Sequence, residues 1–385
     1  MRLVAGPLVE VTHVLVTNDF PPKIGGIQSY LWELWRRLPP ADFAVLTLAH
    51  RDARAFDDAA PYRVERLDGP VLLPTRRVRG AILDLVRDTG ASLVVLDPAL
   101  PLGLLGPRLG LPYAVVVHGA EVAVPARLPV TCQLLDRVVS GASLVVAAGS
   151  YPASEVRRVV GARMPTTVVV PPGVDTQRFR PLDPAARDAA RSQLGLPVDA
   201  RLVVSVSRLV PRKGMDVLVE AAARLAPDRP DLVVAIGGTG RDASRIARLA
   251  ARSGAPVRML GRVPDEDLPA LDAAADVWAM LCRNRWLGLE QEGFGIVFLE
   301  AAAAGVAQVA GRSGGAGDAV LDGRTGLVVD RPGDVVVVAR ALATLLDDPE
   351  LRSRFGAAAR ERAVEAFGYE DLAGRLREAL DALNG

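Results

Sequence analysis

Short apolar runs recur along the 385-residue chain, separated by stretches whose apolar positions fall three or four apart. In the first half the runs are VTHVLVT (11–17), FAVLTLA (43–49), SLVVLD (92–97), YAVVVH (113–118), SLVVAAG (143–149) and TTVVVPPGV (166–174). These runs are apolar almost throughout rather than alternating, as expected of strands covered on both faces of a parallel sheet. The intervening 28–38 and 79–89 carry helical spacing. The rhythm then restarts with RLVVSVS (201–207), DLVVAIGG (231–238), VRMLG (257–261), DVWAML (276–281), VAQVAG (306–311) and TGLVVD (325–330), with helices expected over 215–225, 244–253 and 296–304. Between the two series, 171–197 is Pro-rich and holds no strand pattern, so the domain linker is placed there. An amphipathic segment, 367–383, closes the chain. The expectation is two doubly wound α/β domains in tandem, with a ligand cleft at the carboxyl ends of their strands.

Composition narrows the function classes. Half the residues are hydrophobic, enough for more than one core, and the net charge of +1 gives no global field for nucleic acid. Two cysteines without a CxxC argue against a disulfide framework or a zinc site and fit a reducing cytoplasm. The amino-terminal MRLVAGPLVEVTHVLVTNDF carries Glu10, lacks a small-residue cleavage site and is read as strand rather than signal peptide. The weakly charged 91–117 is interrupted by Asp97, Arg108 and several Pro and Gly residues, which excludes a spanning helix there.

The loops after the expected strands carry the candidate chemistry. In PPKIGGIQSY, Gly25 and Gly26 bare the backbone just before a helix, where unpaired N–H groups attract a phosphate. A tight strand-to-helix turn is the alternative, and the spacing is not that of a dinucleotide fingerprint. SVSRLVPRKGMDVL places Arg208 and Lys213 at a strand's carboxyl edge, ahead of a helix. Two cations there can stabilise a leaving diphosphate; a solvated basic loop is the bland reading. EGFGIVFLEAAAAG sets Glu292 beside Gly293 and Gly295, with Glu300 on an otherwise apolar helix. A carboxylate so placed needs a partner, which a nucleotide ribose, an arginine or a core amide can supply. His118 leaves a strand ahead of Gly119, and both a structural and a functional reading stay open; His13 and His50 are read as structural or solvated. Asp265 and Asp267 form an Asp-x-Asp, read as a helix cap rather than a metal site. Arg76, Arg77 and Arg79 head an apolar-striped helix, either as a solvated face or toward an anionic lipid surface.

Taken in order, GGIQSY, HGAEV, SRLVPRKG, EGFGIVFLE and GRSGGAGDAV resemble the family 4 retaining glycosyltransferases of GT-B architecture over nearly the whole chain. TNDFPPKIGGIQSYL is most similar to bacterial α-mannosyltransferases that extend phosphatidylinositol mannosides from GDP-mannose. The resemblance implies two Rossmann-like domains facing a central cleft: residues 1–180 on the acceptor side, with the helix at 367–385 returning to them, and 181–366 binding the nucleotide-sugar donor. It implies that Gly25 and Gly26 approach the donor phosphate and that Arg208 and Lys213 bind the diphosphate. Glu292 would hold the sugar hydroxyls near the backbone of Gly295, Ile296 and Val297. Glu300 would take the ribose, Val263 the base through its backbone, and His118 the sugar. No cofactor and no metal are implied beyond the nucleotide sugar. The acceptor would be a lipid at the inner face of the cytoplasmic membrane, with the enzyme cytoplasmic or peripheral. The chain departs from the family pattern at Ala307, at Gly317–Asp318 and at Ala120, where relatives carry Pro, Pro-Glu and a second histidine. An epimerase or hydrolase of nucleotide sugars, and a non-catalytic sugar- or lipid-binding module, are the other classes the residues leave open.

Overall fold

The computed structural model describes residues 11–23 and 25–383, so residues 1–10 of the expected amino-terminal strand segment lie outside the described residues. The chain divides into two compact units. One runs to Pro172 and takes up the chain again at Tyr369; the other is Gly173–Gly368.

The first unit is built on seven parallel strands: β1 (His13–Thr17), β2 (Phe43–Leu48), β3 (Arg63–Leu67), β4 (Leu93–Asp97), β5 (Tyr113–Val117), β6 (Leu144–Ala147) and β7 (Thr167–Val169). Their order is β3-β2-β1-β4-β5-β6-β7. Six of them lie on the apolar runs. The seventh, β3, reads RVERL and escapes that pattern because it is an edge strand, where charge blunts unwanted pairing. On one face the sheet buries Val78, Ile82 and Leu85 of helix Arg76–Thr89 and Leu135, Val138 and Val139 of helix Pro129–Ser140. On the other it buries Leu31, Leu34 and Trp35 of helix Gly26–Trp35 together with Leu372, Leu376 and Leu380 of the last helix, Tyr369–Asp381. Arg37 Nε donates to Glu370 Oε1 at 2.7 Å across that contact. His13 is core: it accepts from Trp35 Nε1 at 2.9 Å, and burial pushes its pKa down to about 3.

The second unit has six parallel strands: β8 (Arg201–Val206), β9 (Leu232–Gly237), β10 (Val257–Gly261), β11 (Val277–Met280), β12 (Ala307–Gly311) and β13 (Gly326–Val329), in the order β10-β9-β8-β11-β12-β13. Apolar residues of both sheet faces are covered by helices, as a fully parallel sheet requires. Of the Pro-rich 171–197, expected to be linker, residues 173–197 belong to this unit and contain helix Pro184–Gln193. Pro184 stands at the first helical position, where its missing N–H costs nothing, and Asp183 caps the Ala186 amide. Buried Arg191 ties the helix down by donating to the carbonyls of Ala274, Val198 and Ala200. Among the described residues no helix is long and apolar enough to cross a membrane.

Each sheet reverses its strand order once, between β1 and β4 in the first unit and between β8 and β11 in the second. Loops leaving such neighbouring strands diverge to opposite faces, and the crevice between them is where doubly wound sheets bind ligands.

Candidate active site

The switch point of the second sheet brings together residues that are far apart in sequence. The loop after β8 ends in Pro211-Arg212-Lys213, and Gly214 then starts helix Met215–Leu225 at φ +70°. A Cβ on Gly214 would lie 2.1 Å from the Leu281 carbonyl oxygen, so only glycine lets the two loops touch. Across that contact the Lys213 ammonium lies 2.8 Å from Glu292 Oε2, and both side chains are buried. Arg212 Nε lies 3.6 Å from the same oxygen, and the Cys282 thiol donates to it at 3.3 Å. Burial alone would raise the Glu292 pKa, but Lys213 and Arg212 outweigh it and hold the group below the usual carboxylate range. The same surroundings push the Cys282 thiol well up, through burial and the Glu292 charge. From behind, Ser313 Oγ accepts the Glu292 amide at 3.1 Å and donates to Asn284 Oδ1 at 2.7 Å. Gly314 and Gly315 press against the Glu292 and Gly293 carbonyls at distances that no Cβ would permit. Three groups therefore hold one oxygen of the carboxylate, while Ser313 and the two glycines hold the backbone behind it. Arg208 sits earlier on the first of these loops; it is exposed and, among the described residues, forms no ion pair.

Gly295, at φ +88°, turns the chain into helix Ile296–Ala303. The N–H groups of Ile296 and Val297 open that helix, where no preceding carbonyl of the helix can accept them. Further along, Glu300 is partly buried and, among the described residues, its side chain makes no ion pair. Burial raises its pKa to about 7, with Arg178 opposing and Asp265 reinforcing the shift. Val263 follows β10 and packs against Gly237, where an added Cβ would meet the valine at 2.7 Å. Asp265 is engaged by Arg178 at 2.7 Å, and Asp265–Asp267 form the turn that leads into helix Leu268–Ala274.

In the first unit Asp97 ends β4 with no exposed surface. It accepts from Thr17 Oγ1 of β1 at 2.6 Å and meets His118 Nε2, just beyond β5, at 2.5 Å. Burial lowers the His118 pKa, yet the Asp97 charge and hydrogen bond prevail and bring it up to about 8. Tyr30 sits edge-on to the imidazole, with ring centroids 5.4 Å apart. Glu121 accepts the His118 and Gly119 amides, so the turn after β5 is held by its own side chain. Gly25 precedes helix Gly26–Trp35 in extended backbone, and an added Cβ would strike the movable Gln28 side chain rather than the main chain. Lys23 is spent on Asp19 at 2.6 Å.

The sequence model described as Glycosyltransferase Family 4 matches residues 24–178, and that described as Glycosyl transferases group 1 matches 186–362. A Mycolicibacterium smegmatis protein named GDP-mannose-dependent alpha-(1-6)-phosphatidylinositol monomannoside mannosyltransferase is 41% identical over 95% of this chain and 97% of its own. The chain belongs to glycosyltransferase family 4. A Corynebacterium glutamicum glycosyltransferase, named as acting on monoacylated phosphatidylinositol monomannoside, is 36% identical over 96% of this chain and 97% of its own. Among solved structures, Anabaena HepE in complex with UDP superimposes with a TM-score of 0.82 at 21% identity, over 97% of this chain and 100% of that one. Sucrose-phosphate synthase from Thermosynechococcus elongatus follows at 0.79 and 23%, over 97% and 99%. These two carry the fold, which is the GT-B fold expected from the motifs.

Of the residues singled out in this glycosyltransferase, Lys213 and Glu292 touch. Gly295, Ile296 and Val297 follow Glu292 closely in sequence, at the turn into the next helix, whereas Arg208 and Glu300 take no part in the ion pair. Three neighbours escaped the sequence reading. Arg212 was covered only by the reading of a basic loop, Cys282 only by the count of two cysteines without a CxxC, and Asp97 only as an interruption of the weakly charged 91–117. For Asp97 a signal was present: a carboxylate closing a fully apolar strand needs a partner, and His118 closes the next strand of the sheet.

Proposed function

We propose that this glycosyltransferase moves an α-mannosyl residue from GDP-mannose to a phosphatidylinositol mannoside or a similar lipid-linked acceptor, with retention and without a metal. Full-length similarity to mannosyltransferases named for that donor and acceptor supports the reading. The observation that carries it is the Lys213–Glu292 pair at the switch point of the second unit. A buried ion pair adds little net stability once desolvation is subtracted, which supports a second task for each of its members. Lys213, with exposed Arg208, binds the donor diphosphate and offsets the charge that builds on it as it leaves. Glu292 accepts the sugar hydroxyls, and the leading amides of helix Ile296–Ala303 assist. Glu300 accepts the ribose hydroxyls, and the backbone of Val263 meets the base.

In the first unit we assign Gly25 and Gly26 to the donor phosphate and His118 to the sugar. Asp97 occupies His118 Nε2 and keeps the ring charged at neutral pH, so Nδ1–H is the donor offered to an oxygen. Glu292 is held by Lys213 and Arg212 and is assigned to the sugar hydroxyls, so we do not assign it as a nucleophile. The acceptor hydroxyl therefore attacks on the face the diphosphate leaves: the C1–O bond to phosphate breaks, the C1–O bond to the acceptor forms, and the hydroxyl proton passes to the departing diphosphate. The exposed Arg76, Arg77 and Arg79 suit an anionic membrane surface, which supports a peripheral enzyme at the cytoplasmic face.

The test is a panel of nucleotide sugars incubated with extracted phosphatidylinositol mannosides in EDTA, with products read by mass spectrometry. A mannosylated lipid formed from GDP-mannose alone is expected. Free sugar without lipid product would favour a hydrolase, and a requirement for added metal would overturn the metal-free mechanism.

A further inference from the structure

We propose that Arg212 is a positioning residue: it keeps Glu292 ionised and aimed at the sugar once the donor diphosphate draws the Lys213 ammonium away. This rests on the assignment of Lys213 to the diphosphate and Glu292 to the sugar. Three groups converge on one oxygen, Oε2: Lys213 at 2.8 Å, Cys282 at 3.3 Å and Arg212 at 3.6 Å. Among the described residues nothing bonds Oε1, which leaves it for a ligand hydroxyl. Lys213 is thus the closer of the two counter-charges on Glu292 among the described residues, and the same ammonium is needed by the incoming diphosphate. One ammonium cannot neutralise both at short range. Were Glu292 left alone in its buried site it would take up a proton, and a protonated carboxyl is a poorer acceptor for sugar hydroxyls.

Arg212 is built for the handover. Its Nε is buried and has no hydrogen-bond partner, an unstable condition for a donor that can never lose its charge. That atom stands a fraction of an ångström beyond bonding distance from Oε2. Its backbone carbonyl accepts the Arg283 amide at 2.9 Å, which ties the loop after β8 to the loop after β11 that bears Glu292. Asp216 Oδ2 is paired with Arg283 at 2.7 Å and Arg245 at 3.2 Å, while its Oδ1 is buried without a hydrogen-bond partner. The ionisable groups facing Glu292 are Lys213, Arg212 and the Cys282 thiol, and the thiol stays protonated because burial and Glu292 raise its pKa. Arg212 alone is left to close on Oε2 when Lys213 turns away.

The experiment uses full-length protein with 13C-labelled glutamate. The Glu292 carboxyl, assigned by Glu292→Gln, is titrated by NMR with and without saturating GDP, in the wild type, Arg212→Gln and Arg212→Met. With Arg212 present, GDP leaves the Glu292 midpoint low. Without it, GDP raises the midpoint by about one pH unit or more, and the acid limb of kcat with GDP-mannose moves up equally while KM for the donor changes little. A midpoint that GDP does not move in the variants, or loss of the fold in both variants, overturns the proposal; the second result makes Arg212 a structural residue. Lys213→Gln separates the two layers. If that variant keeps full kcat, the diphosphate assignment itself fails. If it loses activity while the Arg212 variants titrate as wild type, only the handover fails.

Discussion

Replacing Lys213 by Met isolates the pair on which the donor site is built. At 2.8 Å and an effective dielectric near 20, the Lys213–Glu292 attraction is about 6 kcal/mol before desolvation is subtracted. Arg212, at 3.6 Å, supplies about 5 kcal/mol on the same scale and remains after the substitution. Breaking a buried pair by removing one partner ordinarily costs about 3–5 kcal/mol, because the other charge is stranded. With Arg212 still in place the lower end applies, so the second unit should lose about 3 kcal/mol. Glu292→Gln should cost a similar amount, and the double variant clearly less than the sum, with a coupling energy of about 2 kcal/mol. The pH dependence has a definite sign. The folded pKa of Glu292 is depressed, so its contribution is present above the ordinary carboxylate pKa and is lost as pH falls through the lowered value. The gap between wild type and Lys213→Met should therefore be widest at neutral pH and shrink as the pH falls below the ordinary carboxylate range. The assay is urea-dependent amide exchange of β8 and β11, which reports the second unit separately. Additive single variants, or a gap that does not vary with pH, would refute the coupling.

Gly214→Ala should destabilise the second unit by about 2 kcal/mol or more and impair donor turnover, because alanine is strained at φ +70° and its Cβ meets the Leu281 carbonyl; thermal unfolding and kcat measure the two effects. His118 has a raised folded pKa, so its pairing stabilises fully below about pH 6.5 and is lost as pH climbs through about 8. Exchange protection of β4 and β5 should fall over that interval, and Asp97→Asn should flatten the profile. Glu300 titrates at about 7, so GDP affinity should drop between pH 8 and 6 in the wild type and be weaker but level in Glu300→Gln; calorimetry giving equal affinity for both proteins at pH 8 would make Glu300 a structural residue.

Much of the fold was legible because a fully parallel sheet demands continuous apolar strands, and those runs stand out against Pro- and Gly-rich loops. The parts that were not legible have local causes. Strand β3 carries charge because it is an edge, and the segment at 184–193 looks like linker because the proline that starts its helix resembles a breaker. In the site, the residue types and the glycines at Gly214 and Gly295 were readable from composition and spacing, whereas Arg212, Cys282 and Asp97 were not. Their importance comes from what they touch.

The order of strands and helices, the glycine-bearing loops and the stock of cations and carboxylates belong to the sequence, since each depends on local spacing or side-chain chemistry. Tertiary structure decided the rest. Reversal of strand order between β8 and β11 sets loops side by side that lie some 80 positions apart, so Lys213 meets Glu292 instead of solvent. Burial and neighbouring charge, which have no counterpart in the linear chain, then determine that Glu292 is held ionised, that His118 carries a proton and that Glu300 titrates near neutrality.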